Sequence, residues 1–456
     1  MNYHFIAIGG SAMHNLAIAL HKKGETITGS DDEIFEPSRS RLKNYGILPE
    51  KQGWFPDKIH KGIDAIVLGM HAKADNPELL RAKELGIVIY SYPEFLFNQT
   101  QLKTRAVIGG SHGKTSTTAM VMHVLKHSNI AFDYMVGAQL DGFETMVGFS
   151  GSSKLAVFEG DEYLTSPIDL RPKFHLYKPH IALITGIAWD HINVFPTFEN
   201  YTEQFSIFVD QIEEGGSLIY FEGDSHIKKI VGNCKKNIQL IPYNTHRHII
   251  KNGTTFLLYN GSEVPIKIFG EHNLQNLSGA KQVCLKLEIT EKAFYKAIQS
   301  FEGAAKRLQL LGQNKKLTIY SDFAHSPSKL QATINAVKNQ YPRKEIVACM
   351  ELHTYSSLSK GFLRQYKGTM QMADKAIVFY SNHAIELKRL EKIAPELIAD
   401  SFDKEGITVI NEKKALKNAL SFMEFENSVL LFLSSGNFDG IDLKGLSKEL
   451  LKKSEA

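Results

Sequence analysis

The sequence predicts an α/β protein of three domains: a Rossmann-like N-terminal domain, a central domain with a parallel sheet, and a Rossmann-like C-terminal domain. Its 456 residues exceed what one hydrophobic core usually supports, and domains of roughly 150 residues would divide the chain in three. In each third, short apolar runs alternate with helical patterns, as in doubly wound folds. We place the domains at 1–103, 104–312 and 313–456.

The composition is that of an ordinary soluble globular protein, with 43% apolar and 22% charged residues. The net charge is only +4 and no long run has one sign, which argues against nucleic acid or a membrane as a partner. Three widely spaced cysteines lack metal-ligand spacing and fit a reducing compartment. The first residues enter a strand without a basic leader, and no apolar run approaches the ~20 residues of a membrane span. We expect a cytoplasmic protein.

The N-terminal third begins with a strand, a glycine turn, a helix and a second strand, in YHFIAIGGSAMHNLAIALHKKGETITGSDD. The turn does not match the dinucleotide fingerprint G-x-G-x-x-G, because Ala7 and Ala12 occupy the outer glycine positions and only Gly9 fits. A tight turn at a helix N-terminus can still bind a diphosphate through free N–H groups and the helix dipole. Asp31, after the second strand, is placed to bind a sugar hydroxyl. The alternative is plain strand–helix packing.

The central third begins with AVIGGSHGKTSTTAMVMHVLKHSN, which predicts a strand, a loop and a helix. The loop ends in the GK[ST] of a phosphate loop, although Ile108 occupies the first glycine position of the strict pattern. Backbone N–H groups would bind phosphate oxygens, Lys114 would neutralise the β and γ phosphates, and the Thr115 hydroxyl would coordinate Mg²⁺. The central domain is therefore predicted to be a P-loop ATPase domain that binds ATP. Its candidate nucleotide-binding residues are Gly110, Ser111, His112, Gly113, Lys114, Thr115 and Ser116.

Acidic residues follow two further strands of the central third. Glu159, Asp161 and Glu162 follow the run KLAVF, and Asp190 with His191 follows IALITGIAW. Carboxyl ends of parallel strands meet at one edge of a sheet, so these groups would surround the crevice that the loop occupies. Carboxylate oxygens suit Mg²⁺, whereas an imidazole is a less usual ligand. Each cluster alone would be an ordinary polar turn, but together with the loop they predict a Mg²⁺–ATP site.

Five motifs, in order, resemble those of the Mur ligase family of bacterial cell-wall synthesis and its folylpolyglutamate synthetase relatives: GGSHGKTSTTA, FEGDEY, AWDHINVFP, GEHNLQNLSGA and DFAHSP. A sixth, FEGAAKRLQLLG, resembles the family segment F-x-G-x-x-[RK]-R. The resemblance spans nearly the whole chain. It implies ATP-dependent amide ligation, in which the lactyl carboxylate of UDP-N-acetylmuramate is converted to an acyl phosphate that an amine then attacks.

The resemblance also implies roles for single residues. Lys114, Glu159 and His191 would be catalytic; Thr115 and Glu159 would hold one Mg²⁺, and His191 a second. No lysine lies between His191 and Lys228, so a carbamylated lysine is not expected. The family often has asparagine at the position of Gly186 and glutamate at that of Ala188, so the loop before His191 departs from the family pattern. The implied substrate residues are Gly9, Gly10, Ser11, Asp31 and His71 for the UDP-sugar.

Four further residues would bind the nucleotide. By the same resemblance, Asn273 and Asn276 would contact the adenine, Arg307 the phosphates and Asp322 the ribose. The alternatives are local: the asparagines would cap a helix, the arginine would be a solvated charge, and the aspartate would be a turn acid.

The resemblance leaves the amine open between two branches that use UDP-N-acetylmuramate. The segments EGDEYLTSPIDLRPKF, YSDFAHSP and LSSGNFDGI resemble the branch that adds the tripeptide L-alanyl-γ-D-glutamyl-meso-diaminopimelate in peptidoglycan recycling. MELHTY, with His353, resembles the branch that adds L-alanine in biosynthesis. We expect the tripeptide, with L-alanine as the alternative. A non-ligating nucleotide-dependent binding protein is the alternative from another class.

Overall fold

The computed structural model describes residues 1–70, 72–166, 168–189, 194–304, 307–388 and 390–455. The chain forms two compact units. The first comprises Met1–His246 with Gln275–Ile298, and the second comprises Arg247–Leu274 with Gln299–Ala456. Both units are built on largely parallel sheets, which confirms the predicted α/β class. No helix in the described part of the chain is long and apolar enough to cross a membrane.

The N-terminal part of the first unit forms a parallel sheet in the order β2-β1-β3-β4. Its elements are β1 (Asn2–Ile6), α1 (Ser11–Lys22), β2 (Thr26–Ser30), α2 (Ser38–Asn44), β3 (Ala65–Leu68), α3 (Pro77–Glu84), β4 (Val88–Ser91) and α4 (Tyr92–Gln99). Because β2 and β3 flank β1, the turn after β1 lies at a topological switch point, where parallel sheets bind ligands.

The central part of the first unit forms a larger sheet, in the order β13-β12-β11-β5-β8-β6-β7, with only the β6–β7 pairing antiparallel among these strands. Its elements are β5 (Thr104–Gly109), α5 (Lys114–His127), β6 (Asp133–Met135), β7 (Val147–Gly148), β8 (Leu155–Glu159), β9 (Leu164–Ser166), β10 (Asp169–Pro172), β11 (Ile181–Ile184), α6 (Phe198–Asp210), β12 (Ser217–Phe221), α7 (Ser225–Asn233) and β13 (Gln239–Tyr243). Strands β8 and β11 flank β5, so the residues that follow all three meet at one edge.

An antiparallel sheet in the order β14-β15-β16 opens the second unit, and two helices follow it in the chain. These elements are β14 (His248–Lys251), β15 (Thr254–Tyr259), β16 (Ser262–Ile266), α8 (Glu271–Lys286) and α9 (Glu291–Ile298). The boundary between the units falls within α8, and α9 belongs to the first unit. There, the His123 imidazole on α5 bonds the carbonyl of Ala297 at 3.0 Å.

The C-terminal part of the second unit forms a sheet in the order β17-β18-β22-β19-β20-β21, parallel except for β17. Its elements are β17 (Gln309–Gln313), β18 (Leu317–Asp322), α10 (Pro327–Gln340), β19 (Glu345–Leu352), α11 (Lys360–Leu363), β20 (Lys375–Tyr380), α12 (Asn382–Leu387), α13 (Pro395–Phe402), β21 (Thr408–Ile410), α14 (Lys413–Phe422), β22 (Ser428–Leu433) and α15 (Leu443–Glu455). Successive side chains of β22 point into two separate apolar clusters: Leu431 belongs to one and Phe432 to the other. Both faces of this sheet are therefore covered, as the apolar runs predict.

Candidate active site

The loop between β5 and α5 has a backbone that requires its two outer glycines. Gly110 has φ 129° and Gly113 has φ 82°, in the left-handed region that side chains disfavour. A Cβ on Gly110 would lie 2.1 Å from the Thr185 hydroxyl, and one on Gly113 would lie 2.2 Å from the Asn276 side-chain oxygen. The loop is thus packed closely against its neighbours, and α5 begins directly after it at Lys114. This is the strand–loop–helix arrangement that binds phosphate at a helix N-terminus.

Lys114 forms a buried ion pair at this loop. Its Nζ donates to Oε2 of Glu162 at 2.6 Å and to the carbonyl of Gly110 at 2.6 Å. Glu162 is fully buried. Burial alone would lower the pKa of Lys114, but the carboxylates of Glu162, Asp161 and Glu159 outweigh it and raise the pKa above its ordinary value. Lys114 is therefore a fixed positive charge at the N-terminus of α5.

Thr115 and Glu159 form the second pair of the site. The Thr115 hydroxyl donates to Oε1 of Glu159 at 2.9 Å, and the N–H of Gly137 donates to Oε2 at 2.7 Å. Burial raises the pKa of Glu159, and these hydrogen bonds and Lys114 partly oppose it. A Cβ on Gly137 would lie 2.7 Å from Glu159 Oε1, so only glycine leaves room for the carboxylate here.

Two hydroxyls extend the network behind the loop. The Tyr201 hydroxyl on α6 donates to Oε1 of Glu162 at 3.1 Å and lies 2.8 Å from the Ser111 hydroxyl. Ser111 also accepts the N–H of Ala188 at 2.9 Å and donates its own N–H to the Gly186 carbonyl at 2.9 Å. The segment after β11 is therefore held to the loop. The glycine and alanine that depart from the family pattern contribute backbone groups to this contact.

Thr185 and Asn276 also adjoin the loop. The Thr185 hydroxyl donates to the carbonyls of Gly109, at 3.2 Å, and His112. Asn276, on the part of α8 that belongs to the first unit, lies against Gly113, and the neighbouring Gln275 amide donates to the Thr185 carbonyl at 3.1 Å. Asn276 is thus beside the phosphate loop, and its contact with adenine stays a prediction.

The donor set at the loop fits Mg²⁺ in kind. A threonine hydroxyl and a glutamate carboxylate are hard oxygen ligands, and they already contact each other. Within the described residues there is no group of three or more His, Cys, Asp or Glu side chains arranged to hold a metal ion. Asp190 and His191 lie outside the described residues, so the predicted binding of a second Mg²⁺ by His191 stays a prediction.

The turn after β1 lies where the diphosphate site is predicted. Ala7 has φ 67°, so alanine adopts there the left-handed conformation that the fingerprint assigns to glycine. The N–H of Gly9 donates to Oδ2 of Asp31 at 2.7 Å. Burial raises the pKa of Asp31 to about 6, while this bond opposes the rise. Asp31 therefore supports the turn, and its sugar contact stays a prediction, as do those of Gly10 and Ser11; His71 lies outside the described residues.

The remaining predicted residues lie in the second unit. Asp322 ends β18 and accepts the N–H of Leu308 at 2.7 Å; burial raises its pKa to about 6, against the opposing charge of Arg307. The Arg307 guanidinium lies over the Phe323 ring, 5.1 Å from its centre. Asn273 donates its side-chain amide to the Phe269 carbonyl at 2.9 Å. Asp322 and Arg307 thus share one neighbourhood, and their nucleotide contacts stay predictions.

Tyr201, Thr185 and Gly137 were not among the residues predicted from the sequence. Thr185 follows β11 directly, so its place at a strand end was a usable signal. Tyr201 lies within a helix, and Gly137 in a long loop; neither carries a motif that separates it from an ordinary core or loop residue.

The fold and the loop define a class: multidomain α/β proteins with a central phosphate-loop domain. Three family models match the chain: "Mur ligase family, catalytic domain" over residues 2–103, "Mur ligase middle domain" over 108–284 and "Mur ligase, glutamate ligase domain" over 306–436. The chain belongs to the Mur ligase family, whose members join acids to amines at the expense of ATP in peptidoglycan metabolism. This confirms the predicted ligase class, so the non-ligating alternative is not supported.

Individual relatives differ in the amine they are named for. The UDP-N-acetylmuramate–L-alanine ligase of Levilactobacillus brevis is 28% identical, over 95% of this chain and 94% of the relative. That of Caldicellulosiruptor bescii is 30% identical, over 82% and 83%. Among solved structures, the Thermotoga maritima UDP-N-acetylmuramate–alanine ligase has a TM-score of 0.69 at 21% identity, covering 100% of this chain and 99% of that one. The murein peptide ligase of Psychrobacter arcticus has a TM-score of 0.63 at 20% identity, covering 99% of both chains. These structures show the shared fold.

Proposed function

We propose that the chain uses ATP to form an amide bond between the lactyl carboxylate of UDP-N-acetylmuramate and an incoming amine. One observation carries the proposal: Lys114, Thr115, Glu159 and Glu162 converge on the glycine loop at the ends of two neighbouring strands. Such a cation and such oxygen ligands beside free helix N–H groups are what phosphoryl transfer requires. Residues 1–103 would bind the UDP-sugar, 104–312 the nucleotide and 313–456 the amine.

The chemistry joins two anions, so charge must be offset first. A carboxylate is a poor acyl donor, and its attack on the γ-phosphate would give an acyl phosphate and ADP. Lys114 would stabilise the charge on the transferred group, and Mg²⁺ held by Thr115 and Glu159 would offset charge on the phosphates. The neutral amine would then attack the acyl carbon and release phosphate. Water must be kept out, because it would hydrolyse the acyl phosphate.

The curated relatives support L-alanine as the amine. Those named for L-alanine reach 28–30% identity over most of the chain, which favours this acceptor over the tripeptide expected from the sequence. The segment MELHTY supports the same choice, because its His353 resembles the branch that adds L-alanine. His353 lies just after β19, with its Nδ1 3.7 Å from Oε1 of Glu351.

The tripeptide is the second candidate, on a specific observation. The segment EGDEYLTSPIDLRPKF contains strands β9 and β10, which pair with each other, and Lys173 after β10 pairs with Asp161 before β9 at 2.6 Å. This segment and LSSGNFDGI resemble the tripeptide-adding branch, and structures named for a murein peptide ligase share the fold.

The deciding assay is phosphate release with ATP, Mg²⁺ and UDP-N-acetylmuramate, with L-alanine and the diaminopimelate tripeptide in parallel reactions. Turnover with L-alanine alone supports the first candidate, and turnover with the tripeptide alone supports the second. The coupled product is identified by its mass. Phosphate release that is unaffected by UDP-N-acetylmuramate would contradict the proposed reaction.

A further inference from the structure

Asn15 is a fully buried amide on α1, close to the turn predicted to bind diphosphate. Its side-chain N–H donates to the carbonyl of Ser11 at 2.8 Å, and the same nitrogen lies 3.0 Å from Nε2 of His14. Its oxygen accepts the backbone N–H of Met146 at 2.9 Å. Met146 lies in the central part of the unit, immediately before β7. The amide therefore joins α1 to the β6–β7 hairpin, 131 residues away in the chain.

The β6–β7 hairpin connects Met146 to the predicted nucleotide site. The Met146 carbonyl accepts the N–H of Val136 at 3.0 Å, and the next residue, Gly137, donates its N–H to Glu159 at 2.7 Å. Glu159 holds the Thr115 hydroxyl with its other oxygen. Three hydrogen bonds, linked by the backbone of Met146 and of Val136–Gly137, thus connect Asn15 to the carboxylate proposed to hold Mg²⁺.

The loop of the hairpin leaves this connection little freedom. The Arg41 guanidinium donates to the carbonyl of Glu144 at 2.6 Å and to the side chain of Gln139 at 3.3 Å. Lys126 donates to the carbonyl of Gly142 at 2.7 Å. At the far end, any group larger than hydrogen on Gly137 would meet Glu159. Movement of the Met146 backbone would therefore shift Gly137 and the carboxylate it holds.

We propose that Asn15 is a positioning residue that fixes Glu159 through the β6–β7 hairpin and so sets the affinity for Mg²⁺-bound nucleotide. This inference rests on the proposed function, because it takes Thr115 and Glu159 as the metal site. Removal of the Asn15 oxygen leaves the Met146 N–H without its partner, and an unsatisfied buried donor drives local rearrangement. The rearrangement therefore affects the Glu159 carboxylate as well as the turn after β1.

The experiment measures binding of a non-hydrolysable ATP analogue by calorimetry, with and without Mg²⁺, in the full chain. The test variant is Asn15→Leu, which keeps the volume but removes the donor and the acceptor. The matched control is Ser38→Ala, because Ser38 bonds His14 in the same buried cluster, at 3.0 Å, without touching Met146. If the leucine variant does not fold, Asn15→Ser replaces it, since serine is too short to reach Met146.

We expect Asn15→Leu to weaken binding of the analogue about tenfold in Mg²⁺ and much less without it, as loss of one buried hydrogen bond allows. Ser38→Ala should bind like the wild type even if its melting temperature falls. Equal affinities of Asn15→Leu and the wild type would overturn the inference, and so would equal weakening in both variants. A wild-type chain that does not bind the analogue would overturn the proposed function as well, which separates the two failures.

Discussion

The ammonium group of Lys114 lies 2.6 Å from the buried carboxylate of Glu162, and this ion pair defines the charge state of the phosphate loop. A buried charge is tolerated only when it is paired and hydrogen-bonded. Glu162 meets both conditions, since Tyr201 also donates to it. Phosphate would therefore approach a lysine whose position is already set by its partner.

The ion pair predicts separate effects on stability and on activity. Lys114→Ala should lower activity by about 10² or more, because we propose that the lysine stabilises charge that develops on the transferred phosphoryl group. It should also lower the free energy of unfolding by about 3–5 kcal/mol, since Glu162 is left buried without its counter-charge. Denaturant unfolding and phosphate release measure the two effects. In the double variant Lys114→Met/Glu162→Gln, stability should return and activity should not; near-normal turnover in either variant would contradict the assignment of the loop.

The backbone of the loop predicts that Gly113 tolerates no side chain. Gly113→Ala places a methyl group 2.2 Å from Asn276 in a left-handed backbone, so we expect the loop to move and nucleotide affinity to fall at least tenfold. Gly24→Ala is the matched control: Gly24 has φ 93° but no atom within 4 Å of its Cβ position. It should cost about 1 kcal/mol of stability and leave affinity unchanged. Equal affinities for the two variants would show that the close contact is unimportant.

Asp322 predicts a pH dependence of stability in the acidic range. Its pKa is about 6 in the folded chain and about 3.9 when unfolded, so the folded form binds more protons between these values. Its contribution to stability is complete below pH 4 and is lost as the pH rises through 6. Asp322→Asn, which still accepts the Leu308 N–H, should remove this component. The check is the melting temperature from pH 4 to 7, compared between wild type and variant; parallel curves would refute it.

The contact between Gly9 and Asp31 predicts a specific loss of substrate affinity. Asp31→Ala removes the acceptor that holds the Gly9 N–H, so the turn loses one of its supports. We expect KM for UDP-N-acetylmuramate to rise about tenfold, with KM for ATP unchanged, as for loss of a hydrogen bond to a charged group. The control is Glu33→Gln, at an exposed carboxylate two residues further along the chain. A rise in both KM values would indicate general damage instead.

The sequence predicted the fold class because burial on both faces of a parallel sheet leaves a clear pattern. The apolar run SVLLFL became β22, with alternate residues in two cores, as such a run requires. The phosphate loop was equally predictable, because the GK[ST] motif reflects requirements of the loop's own backbone and not of distant residues. The helix predicted to follow the loop is α5, which begins at Lys114.

The partners within the site were not predictable in the same way. In the sequence, Glu162 is one of several strand-end acids, and only the fold shows that it pairs with Lys114 while Glu159 accepts the Thr115 hydroxyl. Pairing of this kind depends on distances between strands that are remote in the chain. The family resemblance assigned Asn276 to adenine, and that contact stays a prediction; its packing against Gly113 was not predicted. Such packing leaves no periodic or motif signal in a single sequence.

Ala7 has a consequence for how the N-terminal turn could be reused. An alanine at φ 67° has a left-handed backbone conformation, which its side chain disfavours. Its N–H and that of Ile8 both donate to the carbonyl of Ser30, at 2.9 Å and 3.1 Å, and Gly9 donates to Asp31. The conformation is thus imposed by the end of β2. A peptide cut from the first twenty residues would relax away from it, so transplantation into another scaffold requires the second strand as well.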